Sequence, residues 1–575
     1  MIVPSSIHCP PQMQIQGRND AFKRRTRLIT PIGNILGCEG LFMKDIMKMI
    51  KFRREEGSFM TQHEKLVDEL RERKARALQM GGAEKIKRKH ESGWLTARER
   101  INRLLDPESF FEMGMLAHSD MPGMEDKTPA DGLIMGYGKI NGRRVAVIAN
   151  DFTVLASTNA RINLKKVLQF KAQVKDQYQI PLIWLGEAGG ARMPDCQGSK
   201  EVCSLGGGGV STCMPEFTNF RKQPFIFAAM GDCFGVADFQ ASIADFVVQV
   251  KGSAIAVSGP RALTRAIGQS HSAQDMGGWE IHSKITGMAD QIAENEEDCF
   301  RIIREYLDYM PNNNSELAPT REVPAGSGEK MEDILKHLPE KRTRGYDMHR
   351  IVECIVDGGN IFELKPEFGK MLITCLARVN GKVVGLVANN PIYKAGAMDT
   401  DGLEKMTSFL CLCDSYNIPL IFLHDTPGHL VSKEAELKRV GSRVVNALQA
   451  LYQVTVPKIS IVIRKSYGQA ALNMCGAGSG ADFSVAWPTA EIGFMDPYIA
   501  ADVVYGKLPE EERMKEVDKM LGDNSPYPAA GSYYLQDVIE PSETRNYIIK
   551  VLNLICDSKE KGISKHYLSN WPTKF

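Results

Sequence analysis

Several short motifs that carry hydrolytic, nucleotide-binding or metal chemistry are missing from this 575-residue sequence. It contains no GxSxG, no HExxH and no GxxxxGK followed by Ser or Thr. Its 13 cysteines include no CxxC pair, the pattern that a zinc ribbon would need. These absences exclude a serine-nucleophile elbow, a zincin site and a P-loop, and we predict no metal site in the chain.

An excess of one charge and long apolar runs are missing as well. Lys and Arg total 71 and Asp and Glu total 70, so no basic excess exists to neutralise nucleic-acid phosphates. The basic run Lys85–Lys89 is interpreted as a solvated helix face. No apolar run approaches the roughly 20 residues that span a bilayer, and unpaired cysteines without a secretory signal favour a reducing compartment. We expect a protein with no nucleic-acid partner and no membrane segment, cytoplasmic or, in a eukaryote, in the mitochondrial matrix.

The clearest pattern that is present is an internal repeat. Residues 180–192 read IPLIWLGEAGGAR and residues 418–430 read IPLIFLHDTPGHL, so Gly428 follows Gly190 by 238 residues. Two further pairs flank these segments in the same order, GKINGRRVAVIAND at 138–151 with RVNGKVVGLVANN at 378–390, and PFIFAAMGDCFGVA at 224–237 with PKISIVIRKSYGQA at 457–470. Matches in one order at nearly constant spacing predict a duplicated fold.

The repeated strands and turns indicate where a ligand would bind. The strands are rich in Val, Ile, Leu and Phe without polar alternation, which is typical of a parallel sheet covered by helices. In each half, one strand ends in a glycine-containing turn and another leads through a glycine into a helix of small residues. Two N–H groups aimed at one point from such turns form an oxyanion hole. A glycine-rich turn without function is the alternative for one turn alone, but the pair occurs twice, and we predict one hole in each half.

Seven segments spread over both halves carry a family resemblance. They are LTARERINRLLDPESFFE from Leu95, DGLIMGYGKINGRRVAVIANDFTV at 131–154, GGAR at 189–192, DTPG at 425–428, VPK at 456–458, SYG at 466–468 and WPTAEI at 487–492. In these segments the chain resembles the carboxyltransferase (β) subunits of biotin-dependent acyl-CoA carboxylases of the propionyl-CoA and methylcrotonyl-CoA carboxylase type. The resemblance implies an α/β fold of two tandem crotonase-like (ClpP/crotonase) domains, each a ββα superhelix. It also implies a homohexamer whose active site is shared between the first half of one subunit and the second half of another.

The resemblance also implies domain boundaries and site residues. We expect an N-terminal carboxyltransferase domain on the acyl-CoA side at 60–314, a linker rich in Pro, Gly and charge at 315–344, and a C-terminal domain on the biotin side at 345–575. The implied catalytic residues are Gly189, Gly190, Val236 and Ala237 in the first half and Gly428, Gln469 and Ala470 in the second. The implied cofactor-binding residues are Ala191, Arg192, Gly235 and Gly468. For Arg192, a structural salt bridge is the alternative to a contact with CoA phosphates.

The implied reaction uses both holes. One would hold the thioester oxygen of an acyl-CoA and the other the ureido oxygen of carboxybiotin. We therefore expect a carboxyltransferase that moves a carboxyl group between biotin on a separate carrier chain and an acyl-CoA through a thioester enolate, with a biotin carboxylase or biotin carrier subunit as partner. The same site in reverse is an acyl-CoA decarboxylase subunit. A biotin-independent crotonase-like enzyme or a non-catalytic scaffold is the remaining alternative.

The chain departs from the family pattern at three places. Two adjacent glycines are usual where it has Gly235-Val236 and Gly468-Gln469, and the stretch HLVSKEAELKRVGSRVV after Gly428 also differs. A main-chain donor survives the first two changes, but the added side chains narrow the pockets. Three side chains near the second turn, His424, Asp425 and His429, have either an acid–base role or an ordinary loop role.

Three further segments bear on the organisation of the chain. Residues 1–59 are predicted to be an extension that need not belong to the native fold; Met60 is an alternative start and a transit peptide is a weaker alternative. The IMKMI sequence at 46–50 is similar to a biotin-attachment site, but KFRREEGSF follows it instead of a hairpin, so the biotin is expected on another chain. Residues 60–92 predict an amphipathic helix, and the four consecutive glycines within 203–213 predict a mobile loop over the crevice.

Overall fold

The computed structural model describes residues 61–204, 209–217, 220–558, 563 and 565–571. The predicted extension, Met60 and the IMKMI segment lie outside these residues, and so does the part of the predicted glycine loop at 205–208. The division between the two compact units of the chain falls between Ala75 and Arg76. Both of the sheets below belong to the second unit.

The first sheet has the strand order β1-β2-β3-β4-β5-β6-β8, with β7 pairing to β5. Its strands are β1 (Phe111–Met113), β2 (Leu133–Ile140), β3 (Arg143–Asn150), β4 (Leu182–Gly189), β5 (Phe225–Phe234), β6 (Phe246–Val250), β7 (Ala254–Ala256) and β8 (Gln291–Ala293). The first three strands are antiparallel, and the pairings from β3 onward are parallel.

The second sheet repeats this order as β9-β10-β11-β12-β13-β14-β16, with β15 pairing to β13. Its strands are β9 (Ile361–Glu363), β10 (Leu372–Val379), β11 (Lys382–Asn389), β12 (Leu420–Thr426), β13 (Lys458–Tyr467), β14 (Phe483–Ala486), β15 (Glu491–Gly493) and β16 (Asp537–Val538). The antiparallel start and parallel remainder are also the same. The predicted duplication is therefore confirmed at the level of strand order and direction.

Helices connect and cover the strands. Those up to the end of the first sheet region are α1 (Gln62–Leu78), α2 (Ala83–Glu91), α3 (Ala97–Leu104), α4 (Arg161–Gln173), α5 (Met193–Cys196), α6 (Ser199–Ser204), α7 (Met214–Phe217), α8 (Val236–Ile243), α9 (Pro260–Ile267), α10 (Ala273–Gly277), α11 (Trp279–Lys284) and α12 (Glu296–Tyr309). Those that follow are α13 (His349–Ile355), α14 (Thr400–Ser415), α15 (Lys433–Leu437), α16 (Val440–Gln453), α17 (Gly468–Asn473), α18 (Pro497–Tyr505), α19 (Glu510–Asp523), α20 (Pro526–Gly531) and α21 (Thr544–Ser558). No helix in the described ranges is both long and apolar enough to cross a membrane.

The hairpin that opens each sheet is built in the same way. Its tip is Asn-Gly, with φ of 51° and 78° at Asn141 and Gly142 and of 53° and 77° at Asn380 and Gly381. These are the positive values that a two-residue hairpin turn requires. In each half, one aspartate accepts hydrogen bonds from both tip N–H groups. Asp106 does so at 2.8 and 2.8 Å in the first half, and Asp357 at 2.9 and 2.7 Å in the second.

The central parallel strands are buried on both faces, as their composition predicts. Every residue of β13 is buried, and so is every residue of β4 before its last glycine. Neighbouring side chains of β4, such as Trp184 and Leu185, enter different hydrophobic clusters on opposite faces of the sheet. The cluster that contains Leu185 also contains Phe422 of β12, so the two halves share one core.

The predicted single helix over 60–92 is wrong. The structure has two helices, α1 and α2, because the chain turns at Met80–Gly82. A Cβ at Gly81 would lie 2.0 Å from the carbonyl oxygen of Thr153, and Gly82 has a φ of 93°. Only glycine allows this close approach and this backbone conformation. The interruption lets the basic helix α2 lie against the first sheet.

Two charge networks hold elements together, one of them buried and the other partly exposed. Arg100 of α3 is fully buried, and its guanidinium donates to Glu187 of β4 at 2.6 Å, to Glu296 of α12 at 2.6 Å and to a carbonyl oxygen of β5. In the second half, His349 lies between two carboxylates, 2.9 Å from Glu363 and 2.6 Å from the aspartate two residues before it. The hydrogen bond to Glu363 is the main cause that raises the pKa of His349 to about 9.

Candidate active site

The turn after β4 brings the first predicted glycines to the edge of the sheet. Gly189 is the last residue of β4 and pairs with Phe234, so it belongs to the ladder. Gly190 follows with a φ of 95°, and a Cβ built on it would meet nothing within 4 Å. Its carbonyl accepts from the N–H of Asn159 at 2.8 Å. The Gly190 N–H makes no hydrogen bond with any residue that the structure describes.

The start of α8 lies next to this turn. Gly235 has a φ of 65°, and a Cβ there would lie 3.6 Å from the Cα of Gly190. Val236 and Ala237 are the first two residues of α8, so their N–H groups have no acceptor within the helix. Neither N–H donates to another residue in the described ranges. Two turns that are 45 residues apart in sequence thus lie in contact, and an oxyanion hole needs main-chain donors from two such turns.

The turn after β12 repeats the first turn in outline. Gly428 has a φ of 137° and open space around a Cβ. Its carbonyl accepts from the N–H of Met398 at 3.0 Å, and Leu430 donates back to Met398, as Arg192 does to Asn159 in the first half. The Gly428 N–H, however, donates to the hydroxyl of Thr426 at 3.3 Å. This long bond lies within the turn, so Gly428 is a less available donor than Gly190.

The start of α17 is less closely joined to its partner turn. Gly468 has a φ of 59°, and a Cβ there would meet the carbonyl oxygen of Phe494 at 2.9 Å, with no atom of Gly428 within 4 Å. The N–H groups of Gln469 and Ala470 lie in the first turn of α17 and have no partner among the described residues. The second half therefore presents free donors without the direct contact between turns that is seen in the first half.

Arg192 is held in a structural ion pair. Its side chain is almost fully buried and donates to Asp131 at 2.7 Å, to Asp195 at 3.4 Å and to the carbonyl oxygen of Thr158 at 3.1 Å. These contacts occupy the guanidinium and lock the turn in place. The salt-bridge alternative therefore describes Arg192 in this structure. Ala191, beside it, is exposed.

The three candidate acid–base residues of the second half have different surroundings. His424 is fully buried between the hydroxyls of Ser460 at 2.9 Å and Ser466 at 3.2 Å, and burial lowers its pKa to about 3. Asp425 is fully buried and accepts from Arg464 at 2.9 Å. His429 contacts the Oδ1 of Asn473 at 3.1 Å, and burial lowers its pKa. His424 and Asp425 thus have structural roles, and His429 is the one of the three that belongs to the turn.

Asn159, Met398 and Glu187 also shape the site and were not predicted from the sequence, and neither was the ion pair of Asp425. Asn159 and Met398 occupy equivalent positions, since each forms an isolated β-bridge to the turn of its half. The bridges use main-chain atoms only, so the two side chains need not be alike. Glu187 and Asp425 lie 238 residues apart, each at the irregular end of its strand and each paired with a buried arginine. The irregularity lets a carboxylate point into the protein just before the turn. The alignment of Glu187 with Asp425 in the repeat was the available signal.

The described residues around these turns include no set of metal ligands. In residues 61–204 and the later described ranges, no group of three or more His, Cys, Asp or Glu side chains is arranged to hold a metal ion. What the turns offer is polarisation of a carbonyl-type oxygen by N–H groups.

Comparisons with known proteins identify the family to which the chain belongs. The model of the carboxyl transferase domain family matches residues 88–567. The alpha subunit of methylmalonyl-CoA decarboxylase from Veillonella parvula is 32% identical over 507 residues, which cover 87% of this chain and 98% of that protein. The mitochondrial propionyl-CoA carboxylase beta chain of Sus scrofa is 32% identical over 513 residues, which cover 87% of this chain and 93% of that protein.

A solved structure has the same fold over both halves. The transcarboxylase 12S structure, whose title describes a hexamer assembly with methylmalonyl-coenzyme A and methylmalonic acid bound, matches with a TM-score of 0.81 and 32% identity. The match covers 87% of this chain and 98% of that one. It confirms the predicted α/β fold of two tandem crotonase-like domains. The exact domain boundaries and the individual site residues stay predictions.

Proposed function

Because the chain belongs to the carboxyl transferase domain family, we propose that it moves a carboxyl group between biotin on a separate carrier chain and an acyl-CoA through a thioester enolate. The observation that carries the proposal is the contact between the first-half turns, where a Cβ on Gly235 would lie 3.6 Å from the Cα of Gly190 and α8 begins at Val236 and Ala237. A thioester oxygen held there would gain negative charge as the α-proton leaves. Each N–H donor of an oxyanion hole is worth on the order of 3–4 kcal/mol to the transition state in mutational tests on other enzymes.

The second half supports the biotin side of the reaction. In this proposal the N–H groups of Gln469, Ala470 and Gly428 donate hydrogen bonds to the ureido oxygen. The Gly428 N–H must first break its long hydrogen bond to the hydroxyl of Thr426. Biotin supplies the carboxyl group and a nitrogen that can take up the α-proton. The protein then needs no side-chain base, which agrees with the buried state of His424 and Asp425.

The direction of transfer is a second candidate function. The similarity to a methylmalonyl-CoA decarboxylase subunit favours an acyl-CoA decarboxylase subunit, in which the first-half hole stabilises the enolate left by loss of the carboxyl group. Both directions use the same donors. We extend the proposal to a homohexamer in the cytoplasm or mitochondrial matrix, supported by the hexamer named for transcarboxylase 12S and by a mitochondrial relative.

The test uses the full chain, a panel of acyl-CoA thioesters and free biotin. We expect the carboxyl group of methylmalonyl-CoA to be transferred to free biotin, which gives propionyl-CoA and carboxybiotin, or to be released as CO₂, together with copurification of a biotinylated chain from the native source. Turnover of acyl-CoA with no dependence on biotin would support the crotonase-like alternative. Absence of any reaction and of α-proton exchange with every thioester would refute the proposal.

A further inference from the structure

A small cavity of about 30 Å³ lies between the two halves of the chain. The first half contributes residues 242–245 at the end of α8 and Asp290 before β8. The second half contributes Lys365 after β9, Thr374 of β10 and one side of α14. None of the predicted turn or helix-start residues lines it. A space of this volume holds one or two water-sized particles, so an organic ligand, phosphate or sulfate does not fit.

The ammonium group of Lys405, on α14, is the most unusual group in the wall. The Lys405 side chain is fully buried, and its Nζ makes no hydrogen bond with any residue that the structure describes. A carboxylate oxygen of Glu363 lies 3.6 Å away, which is longer than a hydrogen bond. That carboxylate also accepts from His349 at 2.9 Å. Glu363 is thus shared between two cations, and the buried ammonium lacks an acceptor of its own.

The indole of Trp571 adds a second donor to the wall. Its Nε1 is buried and has no hydrogen-bond partner within the described ranges. Lysine and tryptophan side chains can only donate hydrogen bonds. Buried polar atoms without a protein partner are normally satisfied by an ordered water or ion, because the lost hydration is otherwise uncompensated. The group that would satisfy both side chains is therefore an acceptor.

The charges of the wall favour an anion over water. Arg221 pairs with Asp245 at 3.4 Å, and Lys365 pairs with Asp290 at 2.8 Å. Among the described residues that line the cavity, Lys405 is then the cation without a counter-charge in the wall. A buried charge left unpaired is strongly destabilising. One negative charge in the cavity would balance the wall.

A groove at the surface gives the cavity a route to solvent. The Lys365–Asp290 ion pair lines the cavity and also lines this groove, which has a volume of about 340 Å³. The groove is at the surface because its other walls include the exposed residues Lys284 and Glu367. The ion pair thus separates the cavity from the groove, and an ion that passes it can exchange with solvent.

From these features we propose that the cavity binds one monovalent anion of halide size, chloride in a cell. The anion accepts hydrogen bonds from Lys405 and Trp571 and supplies the missing negative charge between the halves. It stabilises the folded chain, because it binds a site that exists only when the two halves are packed together. The site requires neither acyl-CoA nor biotin and is independent of the proposed function.

The first experiment locates the anion directly. Crystals of the full chain are grown in sodium bromide, and the anomalous scattering of bromine is measured. We expect a bromide peak in the cavity within hydrogen-bond distance of the Nζ of Lys405. Density for water without a bromine signal, or bromide peaks confined to the protein surface, would overturn the proposal.

The second experiment measures the effect of the anion in solution. The urea midpoint of unfolding is followed from chloride-free buffer upward, with sodium gluconate replaced by sodium chloride at constant ionic strength. Gluconate is too large for the cavity. We expect the midpoint of the unmodified protein to rise with chloride and then to level off, as for a ligand that binds only the folded state. A midpoint that does not change with chloride would overturn the proposal.

Lys405→Met should abolish this dependence on chloride. Lys458→Met is the matched control, because Lys458 is also a buried lysine of the second half, donates to carbonyl oxygens at 3.2 and 3.5 Å and does not line the cavity. The control should be less stable than the unmodified protein and keep its response to chloride. An equal response in both variants would contradict the assignment.

Trp571→Phe provides a test that does not depend on the folding of the Lys405 variant. It removes one N–H donor and keeps an aromatic ring in place. We expect the chloride concentration at half of the full effect to rise about tenfold, which corresponds to the loss of one hydrogen bond to a charged group. An unchanged concentration would show that the indole does not hold the anion and would refute the site as described.

Discussion

Replacement of Gly190 by alanine tests the first-half hole directly. Gly190 has a φ of 95°, so a side chain there costs about 1–3 kcal/mol of backbone strain. A Cβ would meet no protein atom within 4 Å, so no steric clash adds to this cost. The methyl group would instead lie in the crevice where the thioester oxygen is expected. We therefore predict a folded variant with an obstructed hole.

The expected loss of catalysis is that of about one donor. Loss of one such donor costs roughly 2.7–4 kcal/mol, a fall of 10²- to 10³-fold in rate. The assay is exchange of the carboxyl group between methylmalonyl-CoA and free biotin, followed by mass spectrometry, because this reaction passes through the enolate and includes the biotin nitrogen but needs no carrier chain. Circular dichroism and gel filtration of the variant show whether it is folded.

Gly142→Ala is the matched control for this experiment. Gly142 has a φ of 78° with open space around its Cβ, and it lies at the hairpin tip between β2 and β3. We expect a similar loss of stability and an unchanged exchange rate. A Gly190→Ala protein that is folded and exchanges the carboxyl group at the rate of the unmodified protein would refute the first-half hole, and an equal loss in both variants would show that strain alone is responsible.

Three further predictions concern stability. Arg100→Met leaves Glu296 without its cation and Glu187 with Lys89 alone, and we expect the free energy of unfolding, measured with urea, to fall by about 3–5 kcal/mol. His349→Gln should lower the free energy of unfolding by up to about 3 kcal/mol below pH 6.5, where the charged His349 stabilises the folded protein in full. This difference should vanish as the pH rises through about 9, because His349 then loses its charge. Gly277→Ala would place a Cβ 1.8 Å from the carbonyl oxygen of Ile255, so we expect little soluble protein on expression.

Each of these predictions has a control. The double change Arg100→Met/Glu296→Gln removes one of the stranded charges and should recover part of the lost stability; no recovery would contradict the ion-pair explanation. For His349, a stability difference that is the same at pH 6 and pH 10 would mean that packing and not charge is responsible. Gly268→Ala, where a Cβ meets nothing within 4 Å, should remain soluble, and equal loss of soluble protein in both glycine variants would argue against the clash.

Local chemistry explains what could be predicted from the sequence. The Asn-Gly tips at 141–142 and 380–381 determine their own turns, since the required positive φ is a property of those two residues. The apolar strands and their spacing predicted the sheets, and the repeat predicted that the two would match. The glycines at 190, 235, 428 and 468 were predicted to lie in turns because the chain reverses there, and all four have positive φ.

Contacts between distant residues explain what could not be predicted. The pairing of Arg192 with Asp131, 61 residues away, decides that this arginine is structural. The break between α1 and α2 depends on the approach of Gly81 to Thr153. The burial of Lys89 depends on Glu187, 98 residues away. In each case the sequence pattern was compatible with two arrangements, and packing selected one.

The sequence by itself determined the duplicated α/β architecture, because the periodicity of buried strands and the chemistry of glycine turns act over a few residues. Only the tertiary structure decided that Gly190 and Gly235 lie against each other while Gly428 and Gly468 do not. The register of β4 with β5 aligns its glycine pair in the same way as the register of β12 with β13, so the difference lies in the surroundings, such as the carbonyl oxygen of Phe494 beside Gly468. Such distances follow from how whole elements pack, which no local run of residues specifies.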